Sequence, residues 1–226
     1  MGDRAAKDAL YEALAGVAKA IGSGRRAEIV DVLAQGERSV DEIAAEIGQS
    51  VANTSHHLRT LAAARLVQTR REGTRICYSL ASDRVAQLWT AVRAVAAEHV
   101  AEIEQLAAAY LGDRAGLEAI TRKELAVRLA VGEVIVIDVR PAREYAAGHI
   151  LGARSVPMDQ LDRWLDRAPR DGEVVAYCRG PYCVFADDAV REARARGFSA
   201  RRLEDGFPEW RRAGLPLAVG NGGRDA

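Results

Sequence analysis

Apolar residues in the first half of the chain recur at intervals of three and four, which predicts a series of helices. The predicted helices cover residues 8–20, 24–34, 40–47, 50–65 and 82–111. Before the last of them, residues 66–80 alternate apolar and polar positions around a turn at Glu72-Gly73, which predicts a β-hairpin. The first half is therefore expected to be mainly helical, with one hairpin.

In the second half, short apolar runs alternate with helical patterns. The runs at 134–138 and 173–177 are typical of strands buried in a parallel sheet. Helical patterns occupy 161–165 and 184–196. Strands that alternate with helices along the chain indicate an α/β domain with a parallel sheet.

The change of pattern predicts two domains, a mainly α domain over residues 1–112 and an α/β domain over 113–219, followed by a disordered tail over 220–226. The 32 basic and 32 acidic residues balance, which excludes a generally basic nucleic-acid binder but not a local basic patch. No apolar run is long enough to cross a membrane, and the first residues lack the apolar core of a signal peptide. Three cysteines do not indicate a secreted disulfide scaffold, so we expect a cytoplasmic protein with free thiols.

Two short helices joined by a tight turn and followed by a hairpin predict a winged helix-turn-helix. On the second of these helices, Thr54, Leu58, Leu61 and Ala62 share the face that is expected to pack inward. The opposite face carries small and polar side chains that fit a DNA major groove. An ordinary solvated surface explains this polar face equally well when the helix is considered alone.

The distribution of charge favours DNA binding by this segment. Residues 49–80 carry five arginines and one acidic residue, whereas residues 1–112 as a whole carry one more acidic than basic residue. Positive charge is therefore concentrated where contacts with DNA phosphates would be needed. The candidate DNA-binding residues are Ser50, Ala52, Asn53, Ser55, His56, His57, Arg59, Arg70, Arg71 and Arg75.

This half of the chain resembles the ArsR-type bacterial repressors over about residues 8–110. The stretches that carry the resemblance are Ile47–Leu61, Ala64–Val67 and Gly73–Leu80. It implies a homodimer, formed through the first and last helices, that binds an imperfect palindrome in double-stranded operator DNA. By position in the motif, Ser55 and His56 would face bases and His57 would lie beside the DNA backbone.

Many ArsR-type proteins sense metals, but this sequence matches their metal sites poorly. The Cys-x-Cys motif often found in the family is absent from residues 39–46. His99 and Glu102 share a face of the predicted last helix, with Asp83 at its start, but Val85 occupies the position of a further donor. We therefore expect no metal, although a metal-responsive repressor with a passive second domain stays open as an alternative.

The candidate reactive residue of the second half is Cys178, which follows a predicted strand and precedes a predicted helix. A thiol at the carboxyl end of a parallel strand is surrounded by backbone N–H groups and faces the positive end of the helix. Each of these features favours the thiolate, so we expect the pKa of Cys178 to fall. The other candidate residues of the loop are Arg179, Gly180, Pro181, Tyr182, Cys183 and Val184. A structural turn with two incidental cysteines is the alternative for the loop considered alone.

Residues 137–157 and 203–216, on either side of this loop, resemble the rhodanese (sulfurtransferase) family, and the match spans about 117–218. The resemblance implies that Cys178 attacks a thiosulfate or polysulfide donor, carries the sulfur as a persulfide and passes it to an acceptor thiol. The six-residue loop has the sulfurtransferase length, whereas related phosphatases and arsenate reductases use a longer loop. Asp138 and Arg140 are expected to brace the loop, and Glu144 to be structural.

The two resemblances together predict a DNA-binding transcriptional regulator with a C-terminal rhodanese domain, in which repression is coupled to reactive sulfur or redox state at Cys178. A working sulfurtransferase, in which the winged helix serves mainly to form the dimer, is an alternative. Cys183 is either a tolerated small residue or a resolving thiol that bridges to Cys178. The expected partners are operator DNA, a second copy of the chain, a sulfane-sulfur donor and a thiol acceptor, with no cofactor and no membrane.

Overall fold

The computed structural model describes residues 3–220, which form two compact units, one ending at Val100 and the other beginning at Ala101. The predicted disordered tail lies, from residue 221 onward, outside the described residues. No helix within residues 3–220 is long and apolar enough to span a membrane.

The first unit is a winged helix-turn-helix, as predicted. Its helices are α1 (Arg4–Ile21), α2 (Gly24–Leu33), α3 (Val40–Glu46), α4 (Val51–Ala63) and α5 (Asp83–His99). Its strands are β1 (Arg38–Ser39), β2 (Val67–Glu72) and β3 (Arg75–Leu80). The strands form an antiparallel sheet in the order β1-β3-β2, so that β2 and β3 make the wing.

Polar caps and an apolar core fix the two short helices of the DNA-binding motif. Ser39 caps α3 in a capping box with Glu42, and the Ser50 side chain accepts a hydrogen bond from the Asn53 amide at the start of α4. Leu58 and Leu61 are fully buried in the core, as predicted. The expected burial of Thr54 is also confirmed, whereas that of Ala62 is wrong, because Ala62 lies at the edge of the buried stripe and is exposed.

The single helix predicted over 82–111 is wrong in its middle. Helix α5 ends at His99, Val100 has an extended backbone with φ −109° and ψ 98°, and α6 (Glu102–Leu111) begins after it. Val100 is β-branched and therefore restricted in a helix, but no glycine or proline interrupts the apolar pattern here. His99 and Glu102 consequently lie on different helices. Within residues 3–220 no group of three or more histidine, cysteine, aspartate or glutamate side chains is placed to hold a metal ion.

The second unit is an α/β domain with a parallel sheet, as predicted. After α6 its helices are α7 (Arg122–Ala130), α8 (Ala142–Ala147), α9 (Leu161–Leu165), α10 (Phe185–Ala195) and α11 (Phe207–Arg212). Its strands are β4 (Ala119–Ile120), β5 (Val134–Asp138), β6 (His149–Ile150), β7 (Arg154–Ser155), β8 (Glu173–Tyr177), β9 (Ala200–Leu203) and β10 (Leu217–Ala218). The parallel sheet has the strand order β4-β9-β8-β5-β7, and β6 pairs with β10 separately.

Strand β8 lies in the middle of this sheet and determines where the cysteine loop begins. Because side chains alternate between the two faces of a strand, Ala176 and Cys178 belong to one hydrophobic cluster and Val175 and Tyr177 to the other. Helices α9 and α10 supply the first cluster, and α7 and α11 supply the second. Cys178 is therefore held by the core of the domain rather than by a surface loop.

Candidate functional site

The predicted DNA-binding residues of α4 lie largely on its solvent-facing side. The exposed residues of this set are Ser50, Ala52, Asn53, His56 and Arg59. Ser55 and His57 are partly buried, so they lie at the margin of this face. We call these seven residues the α4 face.

His57 differs from its neighbour in its surroundings. Its Nδ1 atom is buried and has no hydrogen-bond partner within the described part of the chain. Burial lowers the pKa of His57, and the nearby His56, Arg26 and Arg25 lower it further. His57 is therefore neutral at neutral pH and does not add positive charge to the α4 face.

The wing carries less unbalanced positive charge than the sequence count indicates. The Arg70 guanidinium is paired with Glu37, at 3.1 Å from Nε to Oε1, and with Glu72. Hydrogen bonding to Glu37 raises the pKa of Arg70. Glu37 lies far from Arg70 in sequence, so counting charge along residues 49–80 misses this pair. Arg71 and Arg75 are exposed on the wing.

Cys77 lies in β3, where it is buried, as expected of a small packed residue. Burial raises the pKa of its thiol, and the carboxylate of Glu37 acts in the same direction. A thiol in this state reacts slowly, so Cys77 is a suitable internal control for the chemistry of the other two cysteines.

The loop of the second unit brings Cys178 and Cys183 together. Cys178 follows β8 and is 1% exposed, while Cys183 precedes α10 and is half-buried. The Cys183 amide donates to the Gly180 carbonyl at 3.1 Å, which closes the loop into a turn. Gly180 adopts a φ of 157°, a conformation that L-residues rarely adopt. The Cys178 Sγ lies 3.6 Å from the Cys183 carbonyl oxygen, and each thiol affects the pKa of the other.

The expected fall in the pKa of Cys178 is wrong for the reduced protein. Burial raises its pKa, and the interaction with Cys183 raises it further, against the opposing effect of the Gly180 and Ala186 amides. Its Sγ lies 3.6 Å from the Cys183 carbonyl oxygen and 3.9 Å from that of Gly180, which are acceptors for an S–H proton. The sequence predicts that backbone amides surround the Cys178 sulfur. It does not predict that these amides are divided between the sulfurs of Cys178 and Cys183.

The thiolate of the pair belongs instead to Cys183. Interaction with the Cys178 thiol lowers the pKa of Cys183 to about 7, against the effect of its own burial. The Arg179 and Phe185 amides and the Arg179 charge also lower it. Cys183 is therefore the more acidic thiol of the pair and is partly ionised at neutral pH.

The positive charge of Arg179, beside the cysteines, is already balanced by a carboxylate. Arg179 donates to Glu144 through Nε and Nη2, with the shorter contact at 2.6 Å to Oε1. The Glu144 side chain is 1% exposed, so it is a fixed buried counterion. Glu144 thus anchors the loop through Arg179, which is a more specific role than the structural one predicted for it.

Asp138 and Arg140 form a fully buried ion pair near the base of the loop, with Nη2 2.6 Å from Oδ2. The Tyr177 hydroxyl also donates to Asp138 at 2.6 Å, and Tyr177 directly precedes Cys178. The Arg140 guanidinium stacks 4.4 Å from the centre of the Phe207 ring. The pair is therefore connected to the loop through Tyr177 and Phe207.

The turn before α11 contacts the other side of the loop. The Phe207 amide donates to the Cys178 carbonyl at 3.1 Å. Gly206 approaches so closely that a Cβ placed on it would lie 2.3 Å from the Gly180 nitrogen. Sequence reasoning covered this turn only through the family resemblance and assigned neither residue a role.

Arg114 is a further contact that sequence reasoning missed. Its Nη1 donates to the Pro181 carbonyl in the middle of the loop at 3.0 Å, and its Nε donates to Asp187 in the first turn of α10 at 2.6 Å. Arg191 of α10 donates to the Asp113 carbonyl at 2.7 Å. The segment at 113–116, which follows α6, is therefore attached to both the loop and the helix behind it.

Replacing Gly206 with alanine tests how tightly the loop is held. Because the added methyl group meets backbone atoms, we expect a loss of about 1–3 kcal/mol in the free energy of unfolding, measured with urea. Gly24→Ala is the matched control, because nothing lies within 4 Å of a Cβ at that position. Equal urea midpoints for the two variants would contradict the close packing.

The pH dependence of alkylation tests the assignment of the thiolate. Since the thiolate is the reactive form, iodoacetamide labelling of Cys183 should rise with pH around a midpoint of about 7. Cys178→Ala removes the interaction between the two thiols and should move that midpoint upward. Peptide mass spectrometry separates this labelling from that of Cys77. A wild-type midpoint that the Cys178→Ala variant leaves unchanged would show that the thiol pair does not set the pKa.

Comparison with known proteins agrees with the two folds. Residues 23–69 match the bacterial regulatory proteins of the arsR family, and residues 121–213 match the rhodanese-like domain. The chain is 48% identical over 214 residues to the HTH-type transcriptional regulator Rv0324 of Mycobacterium tuberculosis, a match that covers 95% of this chain and 94% of the relative. It is 32% identical over 104 residues to a sulfurtransferase of Allochromatium vinosum, covering 46% of this chain and 96% of that protein.

Among solved structures, one similar protein is the homodimeric winged helix-turn-helix domain of Mb0332 from Mycobacterium bovis, a possible ArsR-family regulator. It is 45% identical, with a TM-score of 0.41, and the match covers 44% of this chain and 91% of that one. The match to Rv0324 extends over both halves of the chain. The protein therefore belongs to the ArsR-family HTH-type transcriptional regulators that carry a C-terminal rhodanese-like domain.

Proposed function

We propose that this regulator binds operator DNA in the cytoplasm as a homodimer, and that sulfane sulfur accepted by Cys178 changes its affinity for that DNA. The observation that carries the proposal is the contact of Arg114 with the Pro181 carbonyl. Through it, the loop that holds the two cysteines is bonded to the segment of chain that leads toward the DNA-binding half. The DNA, dimer and sulfur parts of the proposal each have separate support.

Two unpartnered apolar helix faces support the dimer. The exposed apolar residues are Leu10, Tyr11 and Leu14 on α1, and Leu88, Val92 and Val95 on α5. Apolar patches of this kind on a folded protein mark protein–protein contacts. A homodimer through α1 and α5 buries both faces, and it presents two copies of α4 to the two halves of a palindromic operator.

The α4 face and the wing support operator binding. Small side chains on the α4 face allow close approach to the major groove, and His56 and Asn53 offer hydrogen-bonding groups for base edges. Arg59, Arg71 and Arg75 are exposed around them and suit phosphate contacts. Arg70 contributes less, because Glu37 and Glu72 already balance its charge.

The thiol pair supports sulfur acceptance. In the first step, Cys183 takes the proton that Cys178 loses. With thiosulfate as donor, the Cys178 sulfur attacks the outer sulfur atom while its proton moves to the Cys183 thiolate. The bond to the sulfonate group breaks, sulfite leaves, and Cys178 carries a persulfide anion. Cys183 is therefore the base that compensates for the raised pKa of Cys178.

Transfer of the persulfide sulfur to an external thiol is a second candidate function. The similarity to the Allochromatium vinosum sulfurtransferase favours it. In that case the second unit turns over donor and acceptor repeatedly, and DNA affinity does not depend on the state of Cys178. The two functions differ in whether sulfur changes operator binding.

The division of labour between wing and α4 is tested by salt titration of operator binding. Arg71→Ala combined with Arg75→Ala should weaken binding to all sequences and lower the slope of log affinity against log salt by about two. Arg70→Ala should change the slope less, because its charge is already paired. His56→Ala should instead reduce discrimination between operator and random DNA by about 1–3 kcal/mol. Fluorescence anisotropy measures binding by all three variants, and equal losses of specificity would contradict the assignment.

Operator affinity before and after treatment with thiosulfate tests the coupling. We expect treatment to lower wild-type affinity, within the roughly 5–150-fold range of typical allosteric coupling, and to leave Cys178→Ser unchanged. Arg114→Ala should still take up sulfur but lose the response. Arg191→Ala is the matched control, because Arg191 contacts the same segment without touching the loop. An unchanged affinity of the treated wild type would favour the sulfurtransferase function instead.

A further inference from the structure

The two thiols of the loop are placed for a reaction with each other as well as with a donor. They lie in one turn, closed by the bond from the Cys183 amide to the Gly180 carbonyl, and the Cys178 Sγ lies 3.6 Å from the Cys183 carbonyl oxygen. Cys183 therefore needs no diffusion to reach Cys178, whereas an external thiol must enter a site in which Cys178 is only 1% exposed. A nucleophile held in contact has a large kinetic advantage over one in solution.

We propose that Cys178 and Cys183 form a two-electron dithiol centre that reduces the accepted sulfane sulfur to hydrogen sulfide and closes to a disulfide within the loop. The inference rests on the proposed function, because Cys178 must first carry the sulfur. It adds an activity, the reductive release of sulfide, and it makes the disulfide rather than the persulfide the final state of the loop.

The step balances without any further reactant. After sulfur acceptance, Cys178 carries a persulfide anion and Cys183 carries the proton. The Cys183 sulfur attacks the inner sulfur of the persulfide, a bond forms between the Cys178 and Cys183 Sγ atoms, and the bond to the outer sulfur breaks. The proton of Cys183 leaves with that outer sulfur as HS⁻. The two thiols are oxidised by two electrons, and the sulfane sulfur is reduced by two.

The loop supports both the attack and the closure. The Arg179 and Phe185 amides stabilise negative charge on the Cys183 sulfur as it attacks. Forming the bond requires the two sulfurs to approach to about 2.05 Å, which moves the residues between them. Pro181 lies among those residues and accepts the Arg114 hydrogen bond, so closure of the disulfide displaces the contact that we propose to carry the signal. An external dithiol reductant is needed to reopen the loop.

A single turnover with thiosulfate separates the two stages, because the first stage releases sulfite and the second releases sulfide. The reduced full-length protein is freed of reductant and mixed with thiosulfate, both products are quantified, and the loop peptide is analysed by mass spectrometry. The wild type should release close to one sulfite and one sulfide per chain, and its peptide should lose two hydrogens. Cys77→Ser is the control and should behave like the wild type.

The two cysteine variants decide between the possible outcomes. Cys183→Ser should release sulfite more slowly, release no sulfide and keep one added sulfur on Cys178. Cys178→Ser should release neither product. Sulfite release by the wild type with a stable persulfide and no sulfide would overturn this inference and leave sulfur acceptance standing, as would sulfide release by Cys183→Ser. Failure of the wild type to release sulfite would overturn both.

The oxidant diamide provides a test that does not depend on sulfur acceptance. It removes two hydrogens from a pair of adjacent thiols directly, and the reduced wild type should close the Cys178–Cys183 disulfide without any donor. Cys183→Ala should not, and its circular dichroism spectrum establishes that it is folded. A wild type that forms no disulfide within the loop under diamide would overturn the inference on geometric grounds.

Discussion

The placement of Cys178 and Cys183 in one turn is the constraint on which the proposed chemistry of this protein depends. It exists because β8 delivers Cys178 into the core of the domain, while a turn closed at Gly180 brings Cys183 back beside it. Their proximity raises the pKa of the buried Cys178 thiol and lowers that of Cys183. In the proposed reaction, Cys183 thereby acts as the base for Cys178.

Several buried contacts hold this arrangement in place. Glu144 fixes Arg179 at one end of the loop. The Asp138–Arg140 pair fixes Tyr177, the residue before Cys178, through the hydrogen bond from the Tyr177 hydroxyl to Asp138. Removing one partner of a buried ion pair typically costs about 3–5 kcal/mol, so these pairs make the position of the loop insensitive to small disturbances. The contact of Arg114 with the loop is different, because it involves a segment outside the sheet and its helices. The loop therefore has rigid supports and one connection suited to transmitting a change.

Much of the fold follows from local sequence, and the rest depends on contacts between distant residues. Apolar periodicity and turn residues were sufficient to predict the winged helix-turn-helix, the central strands and the position of Cys178. The break at Val100 was not predictable, because neither glycine nor proline marks it. The pairing of Arg70 with Glu37 and the sharing of amides between two thiols depend on tertiary packing, so the sequence overestimated the charge of the wing and reversed the pKa shift of Cys178.

We propose that a change at the cysteine loop releases the segment after α6. Two amides report on that segment, since the Ala115 amide donates to the Asp113 carboxylate at 2.7 Å and the Leu117 amide donates to the Arg114 carbonyl at 3.0 Å. Hydrogen exchange followed by mass spectrometry measures their protection directly. Thiosulfate treatment should accelerate exchange at both amides in the wild type and leave it unchanged in Cys178→Ser. Unaltered protection in wild-type protein that has reacted with thiosulfate at the loop would show that the loop does not release this segment.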